Sequence, residues 1–411
     1  MPILGDRHPE DPLRTATVLL IAVLGPCLIA CGPDAGAGAA FTVRDSASVE
    51  IVENGASTAV PSCALAAVPR IDIGSAAGDE AQQLYRVFDA TRLSDGRLAI
   101  VNQGSGGVRV FDDSGAFLHE FGRVGGGPGE FRDVFQIWRL PGDTLVVGDY
   151  RPWRFSVFTA EGEYIRSVEP KPLYANPPSA MVVLDDGTSV LADDCCFDPS
   201  PGFHEQHLHA VRHAPTGERL DTIGVWPFGR WGEVGNDQVQ LISYPIFEPT
   251  ARVAGGGDRI VAGHAAEPRL EVYDREGRLI RIIRWLEDDR AVRPEDVAAF
   301  RRARLERATT PRARQFAEAA TGDHVPVNDR FPAFSDVVLS AEGEVWVKRY
   351  RRPLDQGPDR WLVFQPDGGL RCRAETPEGM AVFEVGRDYV LGRQADELEV
   401  EHVRLFERTG S

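Results

Sequence analysis

The 411-residue chain is short of positive charge: Lys and Arg number 45 against 62 Asp and Glu, a formal net charge of −17. Nucleic-acid binding needs a basic footprint, so this balance excludes broad contact with DNA or RNA. Methionine is scarce at 3 residues, whereas glycine reaches 42 and proline 29. So many turn formers exclude a helical bundle and favour short strands joined by tight turns. Familiar enzyme signatures are also missing. There is no C-x-x-C, no H-E-x-x-H and no G-x-S-x-G. The glycine-rich stretch GRVGGGPGEF at 122–131 lacks the Gly-Lys-Ser/Thr ending and the βαβ setting of a phosphate loop. What remains is 43% hydrophobic and 26% charged, enough for a sizeable core and too apolar for global disorder.

At the start, ATVLLIAVLGPCLIA (16–30) is an uncharged apolar run of fifteen residues. A bilayer span needs about 20, so this length suits the core of a secretory signal. The run ends in Leu28-Ile29-Ala30-Cys31-Gly32. This resembles the lipobox of bacterial lipoproteins, in which a small residue precedes a cysteine that is acylated and becomes the new N-terminus. The resemblance implies a leader over 1–31 and a lipid on Cys31 that holds the chain to a membrane. Gly32 stands where lipoproteins kept on the inner membrane often carry Asp. The implied address is therefore the outer membrane, facing the periplasm or the exterior. Residues 32–40, GPDAGAGAA, have the composition of a flexible linker. An exported chain can form disulfides. Cys63, Cys195, Cys196 and Cys372 allow three pairings, and the sequence does not choose among them.

From about residue 41 the chain repeats. Short apolar strands that end on a polar residue recur: Leu98–Asn102, Leu145–Asp149, Ser189–Asp193, Ile260–His264, Val345–Arg349 and Tyr389–Arg393. Most follow a turn such as Asp95-Gly96 or Glu342-Gly343. Behind them come hairpins such as VRVFDDSGAFLHEFG (108–122) and RFSVFTAEGEYIRSV (154–168). Their turn glycines are Gly115, Gly162, Gly217, Gly277 and Gly368, spaced by 47, 55, 60 and 91 residues. The last gap falls to 47 once the dissimilar segment 287–330 is set aside. One such unit cannot bury both faces, but a ring of them can. Within 287–330, Pro294-Glu295-Asp296 suits a helix start, and Val297, Phe300, Leu305 and Ala308 share one face. Pro311 restarts the helix and Gly322 ends it.

The stretch DGRLAIVNQGSGGVRVFDDSGAFLHEFGRVGGGPGEF (95–131) resembles an NHL repeat. The resemblance implies an all-β fold over 41–411: a six-bladed β-propeller of four-stranded antiparallel blades with a helical insertion at 287–330. Its N-terminal strand, within Phe41–Arg44 and Val49–Glu53, is expected to close the last blade.

By repeat logic, Asn102, Asp149, Asp193, His264, Arg349 and Arg393 occupy equivalent places at a channel mouth, where loops converge on a concavity. The expected role is ligand binding, with acids on the second and third blades and bases on the fifth and sixth. No catalytic set and no required cofactor are evident. The expected function is therefore a membrane-anchored, monomeric binding module for a small polar ligand, a peptide or a partner protein. The alternative takes Asn102, Asp149, Asp193 and Asp194 as oxygen ligands for calcium. That would imply a metal-dependent lyase or hydrolase, similar to gluconolactonase-like propellers. His204, His207, His209 and His213 read as surface residues of a long connection.

Overall fold

The computed structural model describes residues 41–409 except 151–152, 175–177, 196, 197, 199 and 237–238. The leader, Cys31, the linker 32–40, the Cys195 side chain and Cys196 lie outside the described residues.

The chain is nearly all β, built from antiparallel sheets that follow one another along the sequence. Sheet A comprises Val87–Arg92, Leu98–Asn102, Gly107–Phe111 and Phe117–Phe121. Sheet B comprises Val134–Leu140, Thr144–Asp149, Arg154–Phe158 and Tyr164–Val168. Sheet C runs through Ala180–Val183, Ser189–Cys195 and Phe203–His213, then the long strand Arg219–Asn236 and a fifth, Val239–Ser243. Sheet D runs through Ala251–Gly256, Arg259–His264, Arg269–Asp274 and Leu279–Leu286. Sheet E holds Phe334–Leu339, Val345–Arg349, Asp359–Phe364 and Leu370–Thr376. Sheet F holds Ala381–Val385, Tyr389–Ala395, Glu401–Thr409 and the earlier strand Ile71–Ile73. The short strand Ser62–Leu65 joins E to F, parallel to Leu370–Thr376 and antiparallel to Glu401–Thr409.

Alternation along the strands sends apolar side chains to both faces, so each sheet needs a neighbour on either side. Val101 packs with Phe131 between A and B, and Val146 with Met181 between B and C. Ala192 and Ile260 share the C–D cluster, and Val272 and Val347 the D–E cluster. Trp346 and Val390 meet between E and F, and Leu405 and Leu98 between F and A. The series of apolar clusters thus returns to its first sheet.

The turn glycines explain how the sheets approach so closely. All five adopt positive φ. At Gly162 (φ +82°) a Cβ would also lie 2.5 Å from the Phe121 ring of sheet A. Only glycine avoids both the left-handed strain and that overlap.

The strand that closes sheet F is Ile71–Ile73, not the Phe41–Glu53 segment expected from the sequence. Phe41–Ser46 and Val49–Ala56 form a hairpin that instead extends sheet D, with Val49–Ala56 parallel to Leu279–Leu286. The strand buries Ile51 and Val52, and charge complements the placement. In register, Glu50 faces Arg281 and Glu53 faces Arg284, and both pairs form ion bridges. Buried Asn54 adds side-chain bonds to the Arg284 and Gly368 carbonyls and accepts the Leu370 N–H at 2.7 Å, so it ties D to E. A further tie is the Cys63–Cys372 disulfide, with Cα atoms 5.7 Å apart.

The segment between D and E forms two helices, α1 (Pro294–Glu306) and α2 (Pro311–Thr321). Asp296 caps α1 by accepting the Arg293 N–H at 2.9 Å, and Thr310 caps α2 by accepting from Ala313. Val297 and Phe300 pack on a satellite cluster with Phe247, Val325 and Phe331. Among the described residues, no helix is long and apolar enough to cross a membrane.

Candidate functional site

The second strand of each sheet carries the residues singled out by the repeat. Asn102, Asp149, His264, Arg349 and Arg393 each pair in register with the first residue of the preceding strand. Asp193 lies one position past the Ala180–Ala192 pair. The positions are therefore structurally matched, and their side chains hold loops or, at Arg393, the neighbouring sheet.

Asn102 accepts the Tyr85 N–H at 2.9 Å and donates to Ser105 Oγ at 3.0 Å. Asp149 accepts the Asp133 N–H at 2.8 Å and that of Arg132 at 3.1 Å, and pairs with Arg154 at 3.3 Å. Asp193 accepts the Leu173 N–H at 2.5 Å. Burial raises its carboxyl to about 6, partly opposed by that N–H and reinforced by Asp194. Asp194 in turn accepts from the Ser179 hydroxyl. His264 donates through Nε2 to the Pro249 carbonyl at 3.2 Å, and burial lowers its pKa, which favours this neutral form. Arg349 bridges Glu287 at 2.9 Å and Asp288 at 3.1 Å. Arg393 donates to the Val87 carbonyl at 2.6 Å and pairs with Glu401 at 3.0 Å, while Glu401 accepts the Val87 N–H at 2.8 Å. This last pair clamps both backbone groups of Val87 and fastens sheet F to sheet A. Arg349 borders a cavity of about 380 Å³ beside Asp288, Arg351 and Arg352. Among the described residues, the other five border neither that cavity nor the channel below.

The larger concavity lies elsewhere. A channel of about 770 Å³ is lined by the first strands of all the sheets. Four of its polar groups come from matching stretches that sequence reasoning passed over: Val87-Phe88-Asp89-Ala90, Val134-Phe135-Gln136-Ile137, Phe334-Ser335-Asp336-Val337 and Val382-Phe383-Glu384-Val385. In each the register slips by one residue, leaving Phe88, Phe135, Ser335 or Phe383 as the extra residue of a β-bulge. A bulge re-aims the side chains beside it, and each extra residue is followed by Asp89, Gln136, Asp336 or Glu384. All four of these polar residues line the channel.

The carboxyls there are held by the neighbouring sheet or by their own turn. Asp89 accepts the Ala90 N–H at 2.9 Å and, across the A–B boundary, that of Ile137 at 3.1 Å. Burial nevertheless dominates and pushes Asp89 up to about 8. Glu384 reaches across the F–A boundary to the Thr91 hydroxyl and the Arg92 N–H, and it also accepts from the Tyr389 hydroxyl. Burial raises it too. Asp336 accepts the Val337 N–H at 2.9 Å. Burial raises Asp336, with Arg252 and Lys348 opposing in part.

Neither a protein-family model nor a curated protein matches the chain. Among solved structures, the chain is similar to a DUF4221 member from Bacteroides vulgatus, at TM-score 0.49 and 14% identity, over 84% of this chain and 98% of that one. It is also similar to a Bacteroides fragilis protein inferred to be exported, at TM-score 0.47 and 11% identity, over 88% and 100%. A third likeness is to regucalcin from Agrobacterium tumefaciens, a calcium-binding protein, at TM-score 0.38 and 11% identity, over 85% and 97%. These scores all fall below 0.5, so the chain's own residues carry the functional reading.

The metal-ligand candidates do not converge. Asn102 and Asp149 are spent on backbone N–H groups of separate sheets. Among the described residues, no three His, Cys, Asp or Glu side chains are placed to share an ion. The histidines lie on a strand rather than a loop. His213 is buried with Nε2 2.9 Å from the Lys171 carbonyl, and His209 meets the Tyr174 hydroxyl at 3.3 Å.

Proposed function

We propose that the chain is an exported six-bladed β-propeller, lipid-anchored at Cys31, that binds a small polar ligand in its central channel. Six consecutive antiparallel units, with apolar clusters shared between neighbours and returning from F to A, support the blade count. The Cys63–Cys372 disulfide supports export, because such bonds persist in oxidising compartments. The observation that carries the binding role is the 770 Å³ channel, whose walls combine bulge-directed polar groups with apolar strands. The residues at the ends of the second strands serve as latches that fix the loops around this scaffold. The proposed role is binding, and the Thr91 hydroxyl that donates to Glu384 in the channel wall joins sheets A and F.

Two measurements test the reading. Cys31→Ser should move the protein from the membrane fraction to the soluble one, and an unchanged membrane fraction would overturn the anchor. A thermal-shift screen of small polar compounds should give ligands whose effect weakens in Gln136→Met and Asp336→Asn. Ligands that bind both variants like the parent would place the site outside the channel.

A further inference from the structure

The channel has two unlike sides. Sheets E, F and A, adjacent in the ring, contribute Asp336, Glu384 and Asp89. Sheets C and D face them with Ala180, Met181, Val183, Val253 and the small residues Ala254 and Gly255. Phe88, Phe135 and Trp138 add aromatic surface to the same wall lining, with Phe88 43% exposed. Asp185 adds a fourth carboxyl, and the lining holds a single guanidinium, Arg139, itself paired with Asp143 at 3.4 Å. Apart from Asp185, in the turn after the first strand of sheet C, the carboxyls thus gather on sheets E, F and A, sheets C and D are otherwise apolar, and the lining is short of cations.

We infer that the channel ligand is a small organic cation with an apolar body, an amine whose ammonium lies against Asp336, Glu384 and Asp89 and whose hydrocarbon part lies against sheets C and D. This rests on the channel being the binding site and names the chemistry it selects. An ammonium would donate hydrogen bonds to these carboxyls and gain attraction from the aromatic faces. An anion would meet four carboxyls and one engaged arginine. A neutral polar molecule would leave the buried acids uncompensated. Burial raises Asp89, Glu384, Asp336 and Asp185 despite the partial opposition of Arg252, Lys348 and Arg139, as expected of carboxyls whose nearby cations do not fully compensate them.

The probes are phenethylammonium, phenylacetate and phenethyl alcohol, which share one apolar body and differ in charge. Calorimetry on the full mature chain should show the ammonium binding at least tenfold more tightly than either of the others. Asp336→Asn should weaken the ammonium about five- to twentyfold and leave phenethyl alcohol unchanged. Glu384→Gln should do the same where it remains folded by circular dichroism, and Asp336→Asn is the variant least entangled with the sheet contacts. Preference for phenylacetate or phenethyl alcohol, itself lost in Gln136→Met, would overturn the cation inference while keeping the channel as the site. Ammonium binding indifferent to Asp336→Asn and Gln136→Met would overturn both. Failure of all three probes to bind at millimolar concentration would overturn the cation inference alone.

Discussion

The Cys63–Cys372 disulfide is the sharpest handle on how this chain holds together. It joins positions 309 residues apart. In the chain-entropy treatment, closing so long a loop removes freedom from the unfolded state worth roughly 5–6 kcal/mol at 25 °C. Measured effects of removing native disulfides are smaller, about 2–5 kcal/mol, because unfolded chains retain structure. The lower range is the expectation for Cys63→Ala/Cys372→Ala. Alanine suits the site because Cys372 is buried in the cluster between sheets E and F. At about 2.1 cal/mol/K per residue over about 370 residues, this translates to a fall in melting temperature of roughly 3–6 °C. The consequence should be local as well as global. Ser62–Leu65 pairs with Leu370–Thr376 at two positions and with the C-terminal strand at two more. So short a strand has little to hold it once the covalent bond is gone, and protease cleavage near residue 60 should quicken in the variant. Calorimetry with and without reductant, alkylation of free thiols and timed proteolysis together measure this. Free thiols at 63 and 372 in protein made under oxidising conditions would refute the reasoning. So would a double variant that melts within 1 °C of the parent.

Three further outcomes are expected. Asp149→Ala strips the Arg132 and Asp133 N–H groups of their acceptor and leaves the buried Arg154 only backbone carbonyls in place of its carboxylate, so urea unfolding should show a loss of about 3–5 kcal/mol, with channel binding unchanged in the folded protein. Gly162→Ala combines positive φ with overlap on Phe121 and should cost about 2–4 kcal/mol, whereas Gly142→Ala, with positive φ in open space, should cost about 1 kcal/mol. Asp89, raised to about 8, keeps its proton when folded after the unfolded chain has lost it, so stability should fall as pH rises from about 4 to about 8. Asp193, raised to about 6, acts with the same sign at the lower end, and His264, lowered by burial, acts oppositely below pH 6.5. Glu384 and Asp336, also raised by burial, act with the same sign, so Asp89's share between pH 7 and 8 is read by comparison with Asp89→Asn. Stability there should drop by up to about 1.4 kcal/mol, and a flatter profile in Asp89→Asn would attribute the drop to it.

What the sequence revealed was what local physics governs. Gly115, Gly162, Gly217, Gly277 and Gly368 all take the positive φ that their turn positions demanded. The helical excursion begins at Pro294 and restarts at Pro311 because proline suits the first turn of a helix. The matched register of Asn102, Asp149, His264, Arg349 and Arg393 also followed from repeat spacing alone. The partners of those side chains did not. Whether Asp149 faces solvent or the Asp133 N–H depends on how the loop before the strand returns, and spacing carries no information about that. The Phe41–Ala56 hairpin escaped for a similar reason, since its partner strand, Leu279–Leu286, lies more than 200 residues away.

The channel residues, by contrast, left a readable trace. An apolar residue, a second bulky or small residue, then Asp, Gln or Glu, then an aliphatic residue recurs at 87–90, 134–137, 334–337 and 382–385. Strict alternation would put residues 1 and 3 of each stretch on one face, pairing an apolar with a polar side chain. That conflict with a period of two is the mark of an inserted residue. The stretches in sheets C and D, Ala180–Val183 and Ala251–Gly256, lack the pattern and pair without a slip. The distribution of bulges thus makes the channel two-sided: four sheets turn a polar residue inward, and two stay regular and apolar. A ligand satisfying only the polar arc would leave the half-buried Ala180, Val253 and Ala254 facing water, and one satisfying only the apolar arc would desolvate Asp336 and Glu384 without compensation. Occupancy of the whole channel therefore selects a molecule with a polar, positively charged end and a hydrocarbon end, an asymmetry set by where the chain places one extra residue per strand.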